Sequence, residues 1–228
     1  MILSAFRFLS ILVFFGAGAI YGQTPLSLET VLERMEAVGR EFRNLEADIE
    51  RTKVVVIVDD HSTSSGKFYF ARSGHTSRIR MNIDKPSRQE LLVDKGKLHM
   101  YFPRIKQAQV ADLGKNQDKA EFMAIGFGQS SADILKYYDV TFVGQGTVAG
   151  IMTYILDLTP KSADFAAIFS NIRLWVDQER WIPIQTKLTE AGGDYLDVRF
   201  SNIKINGRLS NSVFELKLPK DVQIIGGR

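Results

Sequence analysis

The alternation of apolar and polar residues predicts a chain built mainly of antiparallel strands. Between about Leu45 and Asp112 apolar residues recur at every second position, and short turns rich in Gly, Pro, Asp and Ser interrupt them. The strands predicted in this half are residues 46–59, 66–72, 77–84, 89–93, 97–102 and 107–111. The same period resumes later and predicts strands at residues 139–144, 151–158, 172–177, 182–189, 195–205 and 214–218. Connections this short join neighbouring strands as antiparallel hairpins.

Three segments have helical spacing instead. The first begins after Ser27, a favourable N-cap, and Glu29 in its first turn suits the helix dipole. Its apolar positions are Leu28, Val31, Leu32, Met35 and Val38. Residues 118–127 and 130–138 predict two shorter helices in the middle of the chain. One face of the first helix is therefore expected to be buried.

So many strands with so few helices must curl or close to protect their edges. We expect a mainly β fold with an α lid: a half-open antiparallel β-barrel of about 11 strands covered by short α-helices. No linker or change in composition divides the chain after its N-terminal segment. Residues 23–228 are therefore predicted to form a single domain.

The N-terminal segment, residues 1–22, has the pattern of a secretory signal peptide. Arg7 is its only charge, and an apolar run from Phe8 ends in small residues, so that cleavage after Ala19 or after Gly22 fits. The run is shorter than the roughly 20 apolar residues that a membrane-spanning helix needs. The sequence therefore predicts export to the periplasm and a soluble protein after cleavage.

Composition excludes several classes of function. The 228 residues carry 29 Lys and Arg against 26 Asp and Glu, a net charge of +3 that is too small and too dispersed for a nucleic-acid surface. The chain has no cysteine, which excludes disulfides, thiolate metal sites, cysteine nucleophiles and an N-terminal lipid-modified cysteine.

Catalytic and metal-binding motifs are missing from the sequence. His61, His75 and His99 are scattered, and His61 is interpreted as part of a solvated hairpin turn. There is no G-x-S-x-G or H-E-x-x-H motif, and Gly144-x-Gly146 precedes a predicted strand, whereas a dinucleotide site would need a helix there. We therefore expect no enzyme, no metal and no cofactor, and a secreted hydrolase would lack a coherent set of catalytic residues.

The parity of each strand gathers apolar side chains on one face. These residues are Phe68, Phe70, Ile79, Met81, Ile83, Leu98, Met100, Phe102, Met152, Tyr154, Leu156, Leu158, Ile172, Leu174, Val176, Ile182, Ile184, Leu188, Leu196, Val198 and Phe200. Such a face is either the packed core of a sheet or, because few helices are available to cover it, the wall of a lipid-sized cavity. Residue pattern alone leaves both interpretations open.

Arg72 has the parity of this apolar face. A charge there must be paired, hydrogen-bonded or close to the rim. It could reach water from a strand end, or bind a helix carbonyl or a ligand head group, and parity does not choose between these. Arg72, Arg78, Arg80, Lys85 and Arg88 also form a basic cluster, interpreted as solvated edge residues or as a docking patch for an anionic head group.

Several motifs together resemble one known family. They are Gly66-Lys67-Phe68-Tyr69-Phe70-Ala71-Arg72, the stretch 89–98 with Val93-Asp94-Lys95-Gly96, then Tyr101, Pro103, Gln107 and Val110, Leu158-Thr159-Pro160-Lys161, and Phe214, Pro219, Val222 and Ile224. Their order along the chain is similar to that of the LolA-like periplasmic (outer-membrane) lipoprotein carrier proteins.

The resemblance implies a carrier without catalytic activity. Such proteins bind the acyl chains of lipoproteins in an apolar cavity and carry them from an inner-membrane exporter to an outer-membrane acceptor. Arg72 matches the arginine that hydrogen-bonds backbone carbonyls of the lid and keeps the cavity closed. The cavity residues implied here are Phe68, Phe70, Ile79, Met81, Leu98, Met100, Phe102 and Leu156, and the lid residues are Leu28, Val31, Leu32, Met35, Phe122, Met123, Ile125 and Phe127.

The sequence also departs from the family pattern. Ser73-Gly74 replaces a proline, and His99 lies where the family often has tryptophan. The cargo is therefore either an acylated lipoprotein or another lipid, and the alternative function is a periplasmic lipid-sensing or glycolipid-binding module of the same fold. We expect a monomer that binds lipid cargo and no nucleic acid.

Overall fold

The structure, a computed structural model, describes residues 26–73, 76–113 and 124–226, without the side chains of Ser73 and Thr76. The predicted signal peptide and most of the predicted helix at residues 118–127, including Phe122 and Met123, lie outside the described residues.

The described residues contain twelve strands in one sheet. The strands are β1 (Asn44–Val55), β2 (Asp60–Ser73), β3 (Thr76–Lys85), β4 (Gln89–Asp94), β5 (Lys97–Phe102), β6 (Gln107–Asp112), β7 (Tyr138–Val148), β8 (Ile151–Pro160), β9 (Phe169–Asp177), β10 (Pro183–Glu190), β11 (Tyr195–Ile205) and β12 (Gln223–Gly226). Their order across the sheet is β12-β6-β5-β4-β3-β2-β1-β11-β10-β9-β8-β7. Neighbouring strands are antiparallel except β12, which runs parallel to β6. The sheet is open, with β12 and β7 at its two edges.

Three helices accompany the sheet in the described part of the chain: α1 (Leu28–Glu41), α2 (Ser131–Tyr137) and the single turn α3 (Ala163–Ala166). The Ser27 hydroxyl accepts a hydrogen bond from the backbone N–H of Thr30, which caps α1 as its sequence predicts. Its residues Val31, Leu32 and Met35 are buried, so that α1 lies with its apolar face against the sheet.

Two groups of buried residues fill the concave face. The first joins Phe42 and residues of β1, β2 and β3 to Phe127 and to β11. The second joins α1 to Ile125 and to β8, β9 and β10, with Leu158, Ile172 and Leu174 fully buried. Residues 124–127 contribute to both groups, so this short stretch connects the two halves of the core.

The predicted fold class is confirmed: the chain is mainly β, with an open antiparallel sheet and few short helices. The strands predicted at residues 97–102 and 195–205 have the predicted bounds. Among the described residues, no helix is both long and apolar enough to cross a membrane.

Two of the predicted strands are placed wrongly. The first strand ends at Val55, a 3-10 turn follows at Val56–Val58, and β2 already begins at Asp60. Asp59 takes a left-handed conformation, which closes the hairpin and lets Val54 pair with His61 inside the ladder. His61 is therefore a strand residue, exposed and bonded to Asp59, and not part of a turn.

The last strand was predicted at residues 214–218. Instead, Asn211–Phe214 forms a 3-10 turn, and the final strand is Gln223–Gly226. Phe214 is buried on the convex side of β3, where the Arg78 guanidinium lies 4.4 Å from its ring centroid. Phe214 is therefore apolar because its ring packs in the fold, and not because it belongs to a strand.

Candidate functional site

The strand register brings the predicted cavity residues together on the concave face. Phe68 pairs with Met81, Met81 with Leu91, and Leu91 with Met100, so these residues form one row across four strands. The next row contains the predicted residues Phe70, Ile79 and Leu98 together with Val93. Side chains of directly opposed residues share a face, so both rows point inward.

The side chains of these two rows become more exposed towards the β6 side of the sheet. Phe68, Phe70 and Ile79 are at most 2% exposed, whereas Leu98, Met100 and Phe102 are only partly buried. The interior of this half is therefore densest under β1 to β3 and looser under β5.

The second half of the sheet lies under α1. Leu156 is 1% exposed and belongs to the same buried group as Val31, Leu32 and Met35, and Leu28 packs at its margin. Met152 was also predicted to point inward, but it is 50% exposed. The pairing of β8 with β9 begins only at Thr153, so Met152 lies on the part of the β7–β8 hairpin that extends past β9.

Residues 124–130, called the lid segment below, lie across the concave face between α1 and β2. Phe127 is 1% exposed, and its ring centroid lies 6.2 Å from that of Phe42, 6.4 Å from Phe68 and 5.3 Å from Phe200. Gly126 and Gly128 both have positive φ, the conformation that glycine adopts without a steric penalty. The lid segment is thus a tight turn that inserts one aromatic ring into the core.

Arg72 holds this segment from the end of β2. Its guanidinium donates a hydrogen bond to the backbone carbonyl of Gly128, and its own backbone N–H donates to the carbonyl of Arg43 at 2.8 Å. The Arg72 guanidinium is therefore hydrogen-bonded to a backbone carbonyl, whereas strand parity alone left its environment open.

A polar groove of about 390 Å³ opens beside this contact. Glu36 on α1 lies at its wall, and hydrogen bonds from Ser131 and Arg40 lower the pKa of its carboxyl group. A Cβ atom at Gly39 would lie 3.2 Å from the carbonyl oxygen of Gln129 and 3.3 Å from Cα of Gly128. The absence of a side chain at Gly39 therefore lets α1 approach the lid segment closely.

Two small, partly open pockets on the concave face are lined by described residues. A cavity of about 40 Å³ is lined by residues that include Arg51, Met81, Ile83, Met100 and Phe102. A second cavity, of about 10 Å³, lies next to Arg72 and Phe127. A space of 40 Å³ holds about one water molecule. Neither pocket is large enough for an acyl chain, so a chain bound at either one would have to displace the side chains that line it.

The predicted basic cluster does not form one free surface. Arg78 lies over Phe214 and donates a hydrogen bond to Asn211 at 3.1 Å. Arg80 is 5% exposed and forms an ion pair with Glu90. The interpretation of Arg80 as a solvated edge residue is therefore wrong, because Arg80 is buried and paired with Glu90, whereas Arg78 is partly covered by Phe214.

Two residues near this site were not singled out by the sequence. Arg51 follows Leu45, Ala47 and Ile49 at every second position of β1, so strand parity contained the signal that it faces inward. Gly39 lies inside a helix, where glycine is unfavourable, and this is a signal of close packing. Among the described residues, no group of three or more His, Asp or Glu side chains could hold a metal ion.

Comparison with known proteins places the sheet and its lid in one family. The family model described as "Outer membrane lipoprotein carrier protein LolA" matches residues 45–217. An outer-membrane lipoprotein carrier protein of Legionella pneumophila (strain Corby) is 28% identical over 222 residues, covering 96% of this chain and 97% of that protein. A protein of the same name from Chromohalobacter salexigens is 23% identical over 193 residues, covering 85% of each.

Solved structures agree in fold. An uncharacterized conserved protein of Thermus thermophilus has a TM-score of 0.53 at 12% identity, covering 86% of this chain and 97% of that one. MucB has a TM-score of 0.51 at 16% identity, covering 83% of this chain and 62% of MucB. Since the family model spans the sheet from β1 to beyond Phe214, this chain belongs to the LolA family of outer membrane lipoprotein carrier proteins.

Proposed function

We propose that this protein is a periplasmic carrier that binds the acyl chains of lipoproteins, or of a related lipid, and carries them from the inner to the outer membrane. The observation that carries the proposal is the lid segment, which lies across a continuous apolar face and is held there by Arg72. The carrier makes no covalent change to its cargo. Its partners are an exporter in the inner membrane and an acceptor in the outer membrane.

The physical need for such a carrier follows from the cost of exposing acyl chains to water. Each methylene group transferred from lipid to water costs about 0.8 kcal/mol, so a lipid anchor does not cross an aqueous compartment unaided. A protein that covers the chains removes this cost, because it replaces the membrane interior with its own apolar face.

Release requires that the empty, closed state be stable as well. In the closed state Phe127 occupies the core, and the Arg72–Gly128 hydrogen bond holds the segment that carries it. Cargo must displace these contacts, so part of its binding free energy is spent on opening. The closed state therefore competes with the cargo and allows its transfer to an acceptor.

Moving the lid segment would expose the surfaces that bind the chains. On the sheet these are the rows that contain Phe68, Phe70, Leu98 and Met100, and on the helix they are Leu28, Val31, Leu32 and Met35. We also propose lid roles for Phe122 and Met123, which lie outside the described residues.

A binding experiment with one matched control tests this proposal. A fluorescent diacylated lipopeptide and its unacylated form would be mixed with the protein and separated by size exclusion. Wild type should retain only the acylated form, and Leu98→Asp, on the concave face, should not retain it. Val143→Asp makes a comparable change at a strand residue that is 48% exposed and should bind normally.

Thermal melting of both variants checks that they are folded. Equal retention by folded Leu98→Asp and by wild type would contradict acyl-chain binding on this face. Retention of free lipids but not of the lipopeptide would favour the lipid-sensing or glycolipid-binding alternative.

A further inference from the structure

Arg51 is a cation on the concave apolar face. On β1 its neighbours two residues away are Ile49 and Lys53, and its cross-strand partners are Ser64 on β2 and Val198 on β11. Directly opposed residues share a face, so Arg51 points to the same side as Ile49 and Val198. Neither cross-strand partner is acidic, and Lys53 is itself bonded to Glu190.

The guanidinium of Arg51 lacks a counterion among the described residues. Its Nε atom is fully buried and has no hydrogen-bond partner in that part of the chain. Burial lowers the pKa of Arg51, and no described carboxylate offsets this effect. The Arg51 side chain as a whole is partly buried, and a buried guanidinium N–H without a partner is costly.

The side chain borders a small, partly open pocket whose lining is largely apolar and also includes Gln89 and Glu90. Arg51 lines the pocket of about 40 Å³ together with Met81, Ile83, Met100 and Phe102. Glu90 also borders this pocket, but its carboxylate is paired with Arg80 and Arg88. Two of these walls are methionines, whose flexible side chains adapt to different shapes. The cavity also lies where burial on the concave face is loosest, since Met100 and Phe102 are only partly buried.

We propose that Arg51 binds an anionic head group, a phosphate or a carboxylate, of the lipid whose acyl chains occupy the concave face. The guanidinium offers several N–H donors in a planar fork, and this geometry matches the oxygens of both groups. The Ser64 hydroxyl, opposite Arg51 on β2, supplies a further donor on the same face. The preferred cargo is therefore an acidic lipid, bound with its charged end near the β1–β2 hairpin.

This inference rests on the proposed function, because it needs acyl chains to bind on the same face. The experiment therefore uses probes with equal chains and different head groups: monomyristin, which is neutral, myristic acid, which carries a carboxylate, and 1-myristoyl lysophosphatidic acid, which carries a phosphate. Affinities would be measured by calorimetry below the concentrations at which the probes form micelles. Wild type should bind at least one anionic probe about tenfold more tightly than monomyristin.

The preference should disappear in Arg51→Met, which keeps much of the side-chain length without the charge, while the affinity for monomyristin stays the same. Arg51→Met should also melt at a higher temperature, because it removes a partly buried cation whose Nε–H has no partner among the described residues. Arg173→Met is the matched control: Arg173 is paired with Asp157, whose parity on β8 is opposite to that of Leu156, and its loss should leave the preference intact.

The outcomes separate the two proposals. If wild type binds all three probes equally, or if Arg51→Met keeps the preference, Arg51 is not the head-group site while acyl-chain binding stands. If no probe binds, acyl-chain binding and the Arg51 site both fail. A preference for the phosphate probe alone would identify a phospholipid-like cargo. A preference for the carboxylate probe alone would identify a fatty-acid-like cargo.

Discussion

Replacement of Arg72 by leucine tests the contact that holds the lid segment closed. Arg72→Leu removes the hydrogen bond from the guanidinium to the Gly128 carbonyl. The backbone hydrogen bond from Arg72 to Arg43, and the pairing of Arg72 with Ser77, do not depend on the side chain. We therefore expect the sheet to stay folded while the lid segment loosens.

The size of the effect follows from the type of bond. A hydrogen bond to a charged group contributes about 1.5–3 kcal/mol, and the lower end applies here because Arg72 is only partly buried. A loss of about 1.4 kcal/mol corresponds to about a tenfold change in an equilibrium constant. The open form should thus become about tenfold more populated. Cargo should then bind about tenfold more tightly and leave more slowly, since less of its binding free energy is spent on opening.

Amide hydrogen exchange measures this opening directly. Inside the lid segment the N–H of Gly126 donates to the Gln129 side chain at 3.1 Å, and that of Phe127 donates to the Ala124 carbonyl at 3.0 Å. Peptides covering residues 124–130 should exchange about tenfold faster in Arg72→Leu than in wild type. Arg173→Leu, which removes an ion pair with Asp157 elsewhere on the sheet, should leave them unchanged. Equal exchange in Arg72→Leu and wild type, or faster exchange throughout the sheet, would refute the reasoning.

Three further variants give independent checks. Gly39→Ala should also speed exchange at residues 124–130 without loss of helical circular dichroism, because the new Cβ would lie 3.2 Å from the Gln129 carbonyl. Burial tends to raise the pKa of Asp177, but hydrogen bonds from the backbone and side chain of Arg180 and from the Glu179 backbone outweigh it and lower that pKa below its ordinary value of 3.8. The stability that this lowered pKa confers is present above pH 3.8 and is lost as the pH falls through the lowered pKa. Asp177→Asn should therefore reduce the free energy of unfolding by about 1–2 kcal/mol at pH 7 and by less in acid, as measured by urea unfolding. Burial raises the pKa of Asp197 despite a hydrogen bond from Gln185, so ionisation of this carboxyl group destabilises the fold as the pH rises. Asp197→Asn should therefore raise the melting temperature more at pH 7 than at pH 4.

The sequence predicts best those strands whose partners are close along the chain. Strands β4 and β5 are joined by the turn Lys95-Gly96, so local residues determine both their ends and their register. The parallel pairing of β12 with β6 joins Gln223 to Gln107, and no local pattern indicates it. Phe214 has a strand-like context, but its ring packs against Arg78, a contact that depends on the tertiary fold.

The residues of the candidate site, like the strands, are predicted only in part by the sequence. Strand parity correctly places Phe68, Phe70 and Met81 on one face, because side-chain direction alternates along any strand. Parity does not indicate how full that face is, since its filling depends on Phe127, which arrives from the lid segment. Strand parity also indicates that Arg51 points inward. The lack of a counterion becomes visible only when the neighbours of Arg51 on β2 and β11 are known.

Mass spectrometry of the material that co-purifies with the protein tests the central claim most directly. The protein would be produced with its N-terminal segment, exported to a native periplasm and isolated without detergent, beside the folded Leu98→Asp variant. The account predicts acylated proteins or acylated peptides bound to wild type and absent from Leu98→Asp. Wild type purified with no acylated molecule, or with the same molecules as Leu98→Asp, would contradict the claim that the concave face carries acyl chains.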